Sequence, residues 1–223
     1  MFKHIPSRIK SGLWPHQARA IKFAVDHLNS SIGACLIRMP TGTGKTGVIA
    51  CLVQYANPAS SLVVTPWGHL RDQMVRDLKG GFWGKTGLQP SNHQISELLP
   101  STVAQVLAKS GPKVLVCTFA TLNEIRREYP QAFSQLSTAI SLVAVDEGHY
   151  EPAVEWGKSV KGLGSKTVLL TATPYRNDLK LFRIADPSKS AFHSTHSQAE
   201  SKGIIRGVQF EALPKTGSIA QYS

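Results

Sequence analysis

Two short segments of the chain carry residue types that suit phosphate chemistry. The first, at positions 39–46, reads M-P-T-G-T-G-K-T and lies between an apolar run and a helix-forming run. A glycine-rich turn between a strand and a helix points several backbone N–H groups at one place, which suits phosphate oxygens. Gly42 and Gly44 let the backbone approach a phosphate closely because they lack a Cβ atom. Lys45 is placed to reach the β- and γ-phosphates of a nucleotide, and the Thr46 hydroxyl to bind Mg²⁺.

This phosphate loop departs from the strict pattern G-x-x-x-x-G-K-[ST] at one position. The chain has Met39 where the pattern has glycine, so the match is to the core G-x-G-K-T. A chance G-K-T in a surface loop is the alternative. The strand predicted before the loop and the helix predicted after it favour the nucleotide site.

The second segment, at positions 146–149, reads D-E-G-H and directly follows the apolar run 140–145. Hydrolysis of a nucleotide γ-phosphate needs a phosphate cradle, a metal ion and a group that orients or deprotonates water. Asp146 is placed to hold Mg²⁺, and Glu147 to act as general base toward the attacking water. A simple exit from a strand into a turn is the alternative for two adjacent carboxylates.

The elements that must position these segments are apolar runs alternating with helical patterns. Predicted strands lie at 33–38, 62–66, 113–118, 140–145 and 167–170. Wholly apolar strands separated by helices predict an α/β fold with a doubly wound, mostly parallel sheet flanked by helices. Ligands of such sheets lie at the carboxyl ends of the strands, where each polar motif of this chain also falls.

Other stretches are expected to be less regular. Residues 80–90 are predicted to form a loop whose aromatic residues Phe82 and Trp83 either stack on nucleic-acid bases or pack on their own domain. Residues 91–109 have a weakly helical pattern, and a strand is plausible near 204–213. We expect one domain at 1–187, followed at 188–223 by a flexible connection and that strand.

The composition of the chain indicates which kinds of partner it is expected to bind. The 223 residues carry a formal net charge of +11, which favours a polyanion such as nucleic acid, although a merely basic soluble protein is the alternative. No apolar run reaches the roughly 20 residues of a membrane helix, and no secretory signal is visible, so no membrane partner is expected. The 3 cysteines form no C-x-x-C pair and are predicted to be buried thiols, which favours a cytoplasmic location.

Together these motifs resemble those of superfamily-two helicases and translocases, over about residues 13–180. Positions 40–46 resemble motif I, and 146–149 resemble motif II in a D-E-x-H, or DEAH-like, form. Positions 15–17, 62–66, 117–122 and 171–174 resemble the glutamine motif, motif Ia, a later nucleic-acid-contacting motif and motif III. Positions 173–178 and 203–206 look more like the restriction-enzyme and phage-defence branch than like RNA-unwinding proteins.

The resemblance implies a RecA-like P-loop ATP hydrolase with the following site residues. Gln17 would recognise adenine, and Thr41, Gly42, Thr43, Gly44, Lys45 and Thr46 would bind ATP. Lys45, Asp146 and Glu147 would be catalytic, with Mg²⁺ held by Thr46 and Asp146. His149, Thr171 and Thr173 would couple nucleotide state to nucleic acid, although capping of helices or strands is an alternative for these three. Thr65, Pro66, Thr118 and Thr121 would lie beside one nucleic-acid strand.

The resemblance also implies a second RecA-like domain that supplies an arginine finger. About 50 residues follow Thr173, too few for that domain. We therefore expect this chain to bind ATP and hydrolyse it slowly until a second domain is supplied in cis or in trans, with a nuclease or another defence subunit as a further partner. DNA is favoured over RNA.

Three alternatives stay open. The first is a nucleotide-dependent module that binds DNA or protein with little turnover, and the second is the domain of an RNA helicase. A small-molecule kinase with a phosphate loop is the third, but it leaves positions 65–66, 146–149 and 171–173 unexplained together.

Overall fold

The computed structural model of the chain describes residues 1–30, 33–146, 153–172 and 187–206. The strands of this part are β1 (Cys35–Arg38), β2 (Ser60–Thr65), β3 (Gln94–Glu97), β4 (Lys113–Thr118), β5 (Ile140–Asp146), β6 (Lys166–Thr171) and β7 (Ala191–His193). They form one seven-stranded sheet in the order β3-β4-β2-β5-β6-β1-β7. Every neighbouring pair is parallel, which confirms the predicted doubly wound α/β fold.

The helices that connect these strands are α1 (Ser7–Ser11), α2 (Pro15–Ser30), α3 (Lys45–Cys51), α4 (Gly68–Arg76), α5 (Phe82–Thr86), α6 (Val103–Ala108), α7 (Phe119–Glu128), α8 (Pro130–Ala139), α9 (Ala153–Gly162), α10 (Pro187–Ser190) and α11 (His196–Ser201). Wider π-helical turns at Leu52–Ala56 and Asp77–Gly81 extend α3 and join α4 to α5. A 3-10 turn at Pro100–Thr102 leads into α6. No described helix has the length and apolar character that a membrane crossing needs.

The core lies in two layers, one on each face of the sheet. Successive residues of a strand point to opposite faces, so Val63 packs with α2, α3 and α5 while Val64 packs with α6 to α9. Helix α2 buries Ile21, Ala24, Val25 and Leu28 at helical spacing. Because both faces of the sheet are covered, its central strands are largely apolar, as the sequence predicted, whereas the edge strands β3 and β7 are only half buried.

Three stretches differ from expectation. Within 91–109, the segment Gln94–Glu97 is an edge strand paired with β4, and α6 begins only at Val103. Within 188–202, Ala191–His193 pairs with β1 at the opposite edge, and α11 follows. Part of the stretch expected to be a flexible connection therefore belongs to the sheet. The strand expected near 204–213 lies mostly outside the described residues.

The glycine-rich stretch 80–90 is the third difference, because it contains helix α5 rather than only loop. Trp83 is 1% exposed and sits in the core beside α3. Packing on its own domain, one of the two alternatives for the aromatic residues, is thus what the structure shows for Trp83.

Candidate nucleotide-binding site

The phosphate loop has the backbone shape that its glycines predicted. Gly42 and Gly44 have φ angles of 81° and 80°, in the left-handed region that favours glycine. A Cβ atom on Gly44 would lie 2.4 Å from the Gln17 Nε2 atom, so a side chain at this position would displace the Gln17 amide. Helix α3 begins at the next residue, Lys45, and places its N-terminus against the loop.

Hydrogen bonds to neighbouring elements hold the loop in this shape. The Thr43 hydroxyl donates to the Pro40 carbonyl at 2.6 Å, and His16 Nε2 donates to the Thr43 carbonyl at 2.8 Å. The Met39 N–H donates to the Thr171 carbonyl at 3.0 Å, which joins the loop to the end of β6. The Thr43 side chain is fully buried, so it shapes the loop from within.

The expected nucleotide residues line one cleft of about 800 Å³ at the carboxyl edge of the sheet. Gln17, Thr41, Gly42, Gly44, Lys45, Thr46 and Asp146 are among its lining residues. Lys45 is 8% exposed, and its Nζ donates to the Met39 carbonyl at 3.4 Å, which keeps the ammonium over the loop. The structure thus brings Asp146, from a distant part of the sequence, to the phosphate loop.

This donor set fits a nucleotide with a hard cation. The glycines leave a cradle for phosphate oxygens, Lys45 supplies a positive charge, and a hydroxyl and a carboxylate share the cleft. Oxygen donors of this kind are what Mg²⁺ prefers in nucleotide sites. The cleft is therefore suited chemically to a magnesium-bound nucleoside triphosphate.

Both polar atoms of the Gln17 side chain form hydrogen bonds within the protein. Its Nε2 donates to the Gly44 carbonyl at 2.9 Å, and its Oε1 accepts from the Trp14 N–H at 3.0 Å. The amide therefore ties the start of α2 to the phosphate loop, and its recognition of adenine stays a prediction. Trp14 itself is 45% exposed and lines the cleft, a residue that the motif reasoning did not select.

The residues expected beside nucleic acid lie at the carboxyl ends of β2 and β4, which are paired at Thr65 and Thr118. Thr65 is fully buried, and its hydroxyl donates to the Cys117 carbonyl at 3.4 Å. The Thr118 hydroxyl accepts the Thr121 N–H at 3.1 Å and caps α7. The hydroxyls of Thr65 and Thr118 therefore point into the fold, whereas Trp67, next along the chain from Pro66, is 53% exposed.

The described residues include only some of those expected to catalyse hydrolysis or to couple the nucleotide state to nucleic acid. Thr171 is buried at the end of β6, directly beside Arg38 of β1 in the sheet register. Glu147, His149 and Thr173 lie outside the described residues, so their roles stay predictions. Asp146 is described, and it places the start of the D-E-G-H segment at the cleft.

Residues 10–176 match the family described as "Type III restriction enzyme, res subunit" (ResIII). The chain belongs to this family. The match covers the phosphate loop, the D-E-G-H segment and the residues that follow β6. The resemblance to superfamily-two helicases is thereby confirmed, with the fold of an ATP-driven helicase motor domain.

One curated protein that is similar to this chain is a helicase by name. The "Bifunctional helicase and thymine dioxygenase JBP2" of Leishmania braziliensis is 29% identical over 197 residues, which are 81% of this chain and 17% of that protein. The ResIII chain therefore spans less than a fifth of this curated relative.

Three solved helicase structures show the same fold. The Hef helicase domain of Pyrococcus furiosus gives a TM-score of 0.64 at 16% identity, covering 95% of the ResIII chain and 43% of that chain. A hypothetical ATP-dependent RNA helicase of Sulfolobus tokodaii gives 0.56 at 17% identity, covering 81% and 54%. The DUF1998 helicase MrfA gives 0.56 at 16% identity, covering 81% and 31%.

Proposed function

We propose that this ResIII chain is the ATP-binding half of a motor that couples ATP hydrolysis to movement on, or unwinding of, DNA. The observation that carries the proposal is the convergence of the phosphate loop, Lys45 and Asp146 on one cleft. Asp146 lies far from the phosphate loop and Lys45 in the sequence, and the sheet order β5-β6-β1 brings it close to them. A phosphate cradle, a cation and a carboxylate in one cleft are what nucleotide hydrolysis requires.

The residues of the cleft divide the work of hydrolysis among them in this proposal. The loop N–H groups and Lys45 bind the β- and γ-phosphates, and Thr46 and Asp146 hold Mg²⁺. The metal ion would neutralise charge on the phosphate oxygens. Glu147, which follows Asp146, takes the proton of the attacking water.

DNA is favoured as the track for two reasons. The chain carries a formal net charge of +11, which suits a phosphate backbone. The description of the family names a restriction enzyme, and the name of the curated relative combines a helicase with a thymine dioxygenase. The same description supports the proposal of a restriction or phage-defence setting, with a nuclease or another defence subunit as partner.

A second RecA-like domain completes the proposed motor. The ResIII chain covers 31% to 54% of the three helicase chains that share its fold, so it corresponds to one part of each. We propose that this second domain, in cis or in trans, brings the arginine finger. A nucleotide-dependent binding module with little turnover is the alternative function, and it shares the same cleft.

Binding of a fluorescent ATP analogue to the Lys45→Ala variant tests the site. Loss of the ammonium removes the only lysine of the phosphate loop, so we expect affinity to fall by tenfold or more, on the order of a lost charge-assisted contact. Thermal unfolding should change little, because the lysine lies at the cleft wall.

The matched control is Lys22→Ala, which removes an exposed lysine of α2 that pairs with Asp26 at 2.6 Å. This variant should bind the analogue as the parent chain does. Equal affinity in Lys45→Ala and Lys22→Ala would show that the nucleotide site has been misassigned.

A further inference from the structure

The cleft has a second wall that none of the helicase-like motifs supplies. It is built from the segment between β2 and β3, and its cleft-lining residues are Leu70, Gln73, Asp77, Phe82, Lys85 and Thr86. The phosphate loop and Asp146 line the same cleft. A nucleotide seated on the phosphate loop would therefore lie beside this segment.

Phe82 meets the phosphate-loop helix at its first turn. A Cβ atom on Gly47 would lie 2.6 Å from Phe82 Cε2 and 2.8 Å from Gln17 Nε2. The edge of the Phe82 ring and the Gln17 amide are therefore neighbours above this glycine. Gly47 has no side chain to separate them, so the ring, the amide and α3 form one continuous surface.

A second aromatic ring lies at the same end of the cleft. Trp14 Cζ3 is 3.4 Å from the point that a Cβ of Gly44 would occupy, and Trp14 also lines the cleft. Trp14 therefore lies beside Gly44 of the phosphate loop, and Phe82 lies beside Gly47 in the first turn of α3. The Gln17 amide is close to both glycines. The part of the cleft beside Gly44 and Gly47 is therefore lined by two aromatic rings.

Internal contacts fix the wall in place. Trp83 Nε1 donates to the Leu78 carbonyl at 3.1 Å, and its ring meets Phe82 edge to face with centroids 4.8 Å apart. Gln54 Nε2 donates to the same Leu78 carbonyl at 2.9 Å. Leu88 contacts the other wall, because a Cβ on Gly12 would lie 2.8 Å from its Cδ1. The wall is therefore preformed.

Polar groups on the wall suit a sugar. Asp77 and Lys85 both line the cleft, and neither forms an ion pair with another residue in the described part of the chain. A carboxylate accepts hydrogen bonds from ribose hydroxyls, as acidic residues do in other nucleotide sites. An ammonium beside the cleft adds attraction for a polyphosphate.

We infer that the segment Phe82–Thr86, together with Trp14, forms the base-binding end of the nucleotide cleft within this single domain. Phe82 is the residue that contacts the purine ring, and Asp77 faces the ribose. The inference rests on the proposed function, since it requires that the cleft bind a nucleoside triphosphate. It adds a base-contacting residue that the family motifs do not include.

Comparing ATP with inorganic tripolyphosphate tests the inference, because the two share phosphates and only ATP has a base and a ribose. Removal of an aromatic ring that stacks on a base costs on the order of tenfold in affinity. We therefore expect Phe82→Ala to weaken ATP binding by about tenfold and to leave tripolyphosphate binding unchanged. Phe82→Leu, which keeps apolar volume for folding but has no flat ring, should behave in the same way.

Two controls separate this inference from the proposed function. Tyr129→Ala removes another exposed aromatic residue, 44% exposed beyond α7, and should affect neither ligand. Lys45→Ala should weaken both ligands, because it acts on the phosphates. If Lys45→Ala weakens both while Phe82→Ala weakens neither, the proposed function stands and the inference fails.

Two further outcomes would overturn the inference. Equal loss of ATP and tripolyphosphate in both Phe82 variants would mean that the ring only supports the shape of the phosphate loop. If the parent chain binds neither ligand, the proposed function fails, and the base-binding role of Phe82 fails with it.

Discussion

At the scale of single residues, the phosphate loop depends on positions that have no side chain. Gly42 and Gly44 are needed for their positive φ angles, whereas Gly47 is needed for space. Its missing Cβ lets the Phe82 ring and the Gln17 amide rest on α3. The first turn of the helix after the loop therefore matters as much as the loop glycines themselves.

Gly47→Ala should weaken nucleotide binding. The new methyl group would lie 2.6 Å from Phe82 and 2.8 Å from Gln17, so both side chains must shift. Crowding of this kind costs about 1–3 kcal/mol, and we expect an affinity loss of about tenfold in titration with a fluorescent ATP analogue. Gly68→Ala, where nothing lies within 4 Å of the added Cβ, is the control. Equal binding by the two variants would contradict the packing described at Gly47.

At the scale of elements, the segment between α5 and β3 is anchored by one buried and two half-buried polar side chains. Gln54 Oε1 accepts the Ser91 N–H at 3.0 Å, and the Ser91 hydroxyl lies 2.7 Å from His93 Nδ1. Burial of His93 disfavours its charged form and lowers its pKa below the usual 6.5. The wall of the cleft is thus joined to the edge strand through a half-buried histidine whose neutral form is favoured by folding.

Stability should therefore fall in acid through His93. The unfolded chain binds a proton to this histidine at a higher pH than the folded chain does, so unfolding is favoured as the pH drops below 6.5. We expect the free energy of unfolding to fall less for His93→Gln than for the parent chain between about pH 7.5 and pH 5.5. Urea unfolding at each pH measures this. His69→Gln, at an exposed histidine of α4, should follow the parent chain. A parent-like pH dependence in His93→Gln would rule out this role.

Burial also sets the chemistry of the thiols carried by the strands and helices. Cys35, Cys51 and Cys117 are all buried and unpaired, as predicted. Burial raises the pKa of Cys51 to about 12, and it raises the pKa of the other two thiols as well. Since the thiolate is the reactive form, these groups serve packing in the folded chain.

At the scale of the whole molecule, the sheet order decides where chemistry is possible. Residues at the carboxyl ends of β5 and β1 line the nucleotide cleft, and β6 lies between these two strands, while β2 and β4 lie farther along the same edge. A motor needs its nucleotide site and its nucleic-acid surface close together on one domain, so that a structural change at one site alters the other. Thr171, at the end of β6, is joined to the phosphate loop because its carbonyl accepts the Met39 N–H.

The 223-residue chain alone should bind ATP but turn it over slowly, with or without duplex DNA. An arginine finger contributes about 10³–10⁵ in rate, and we assign it to the second domain. Turnover that does occur should be stimulated by DNA more than by RNA and should be lost in Glu147→Gln, with ATP still bound. A coupled phosphate-release assay at low salt measures both.

Two results would contradict the expected slow, Glu147-dependent turnover. Fast DNA-stimulated turnover by the chain alone would mean that it completes its own active site. Slow turnover that is unchanged in Glu147→Gln would favour the alternative of a nucleotide-dependent binding module.

The sequence by itself determined the phosphate loop and the class of fold. Glycine spacing, Lys45 and Thr46 act through the local backbone, and apolar runs specify strands buried on both faces, so neither depends on distant partners. Short edge strands were less visible. Gln94–Glu97 and Ala191–His193 are only half buried, and pairing with β4 and β1 rather than an apolar pattern makes them strands.

Only the tertiary structure decided what surrounds the loop. The wall formed by Phe82 and the placement of Asp146 depend on contacts between residues far apart in the chain. The directions of the Thr65 and Thr118 hydroxyls depend on hydrogen bonds formed after the strands pair. Sequence patterns report the local conformation and burial of a residue, but they do not state which distant residue fills the space beside it.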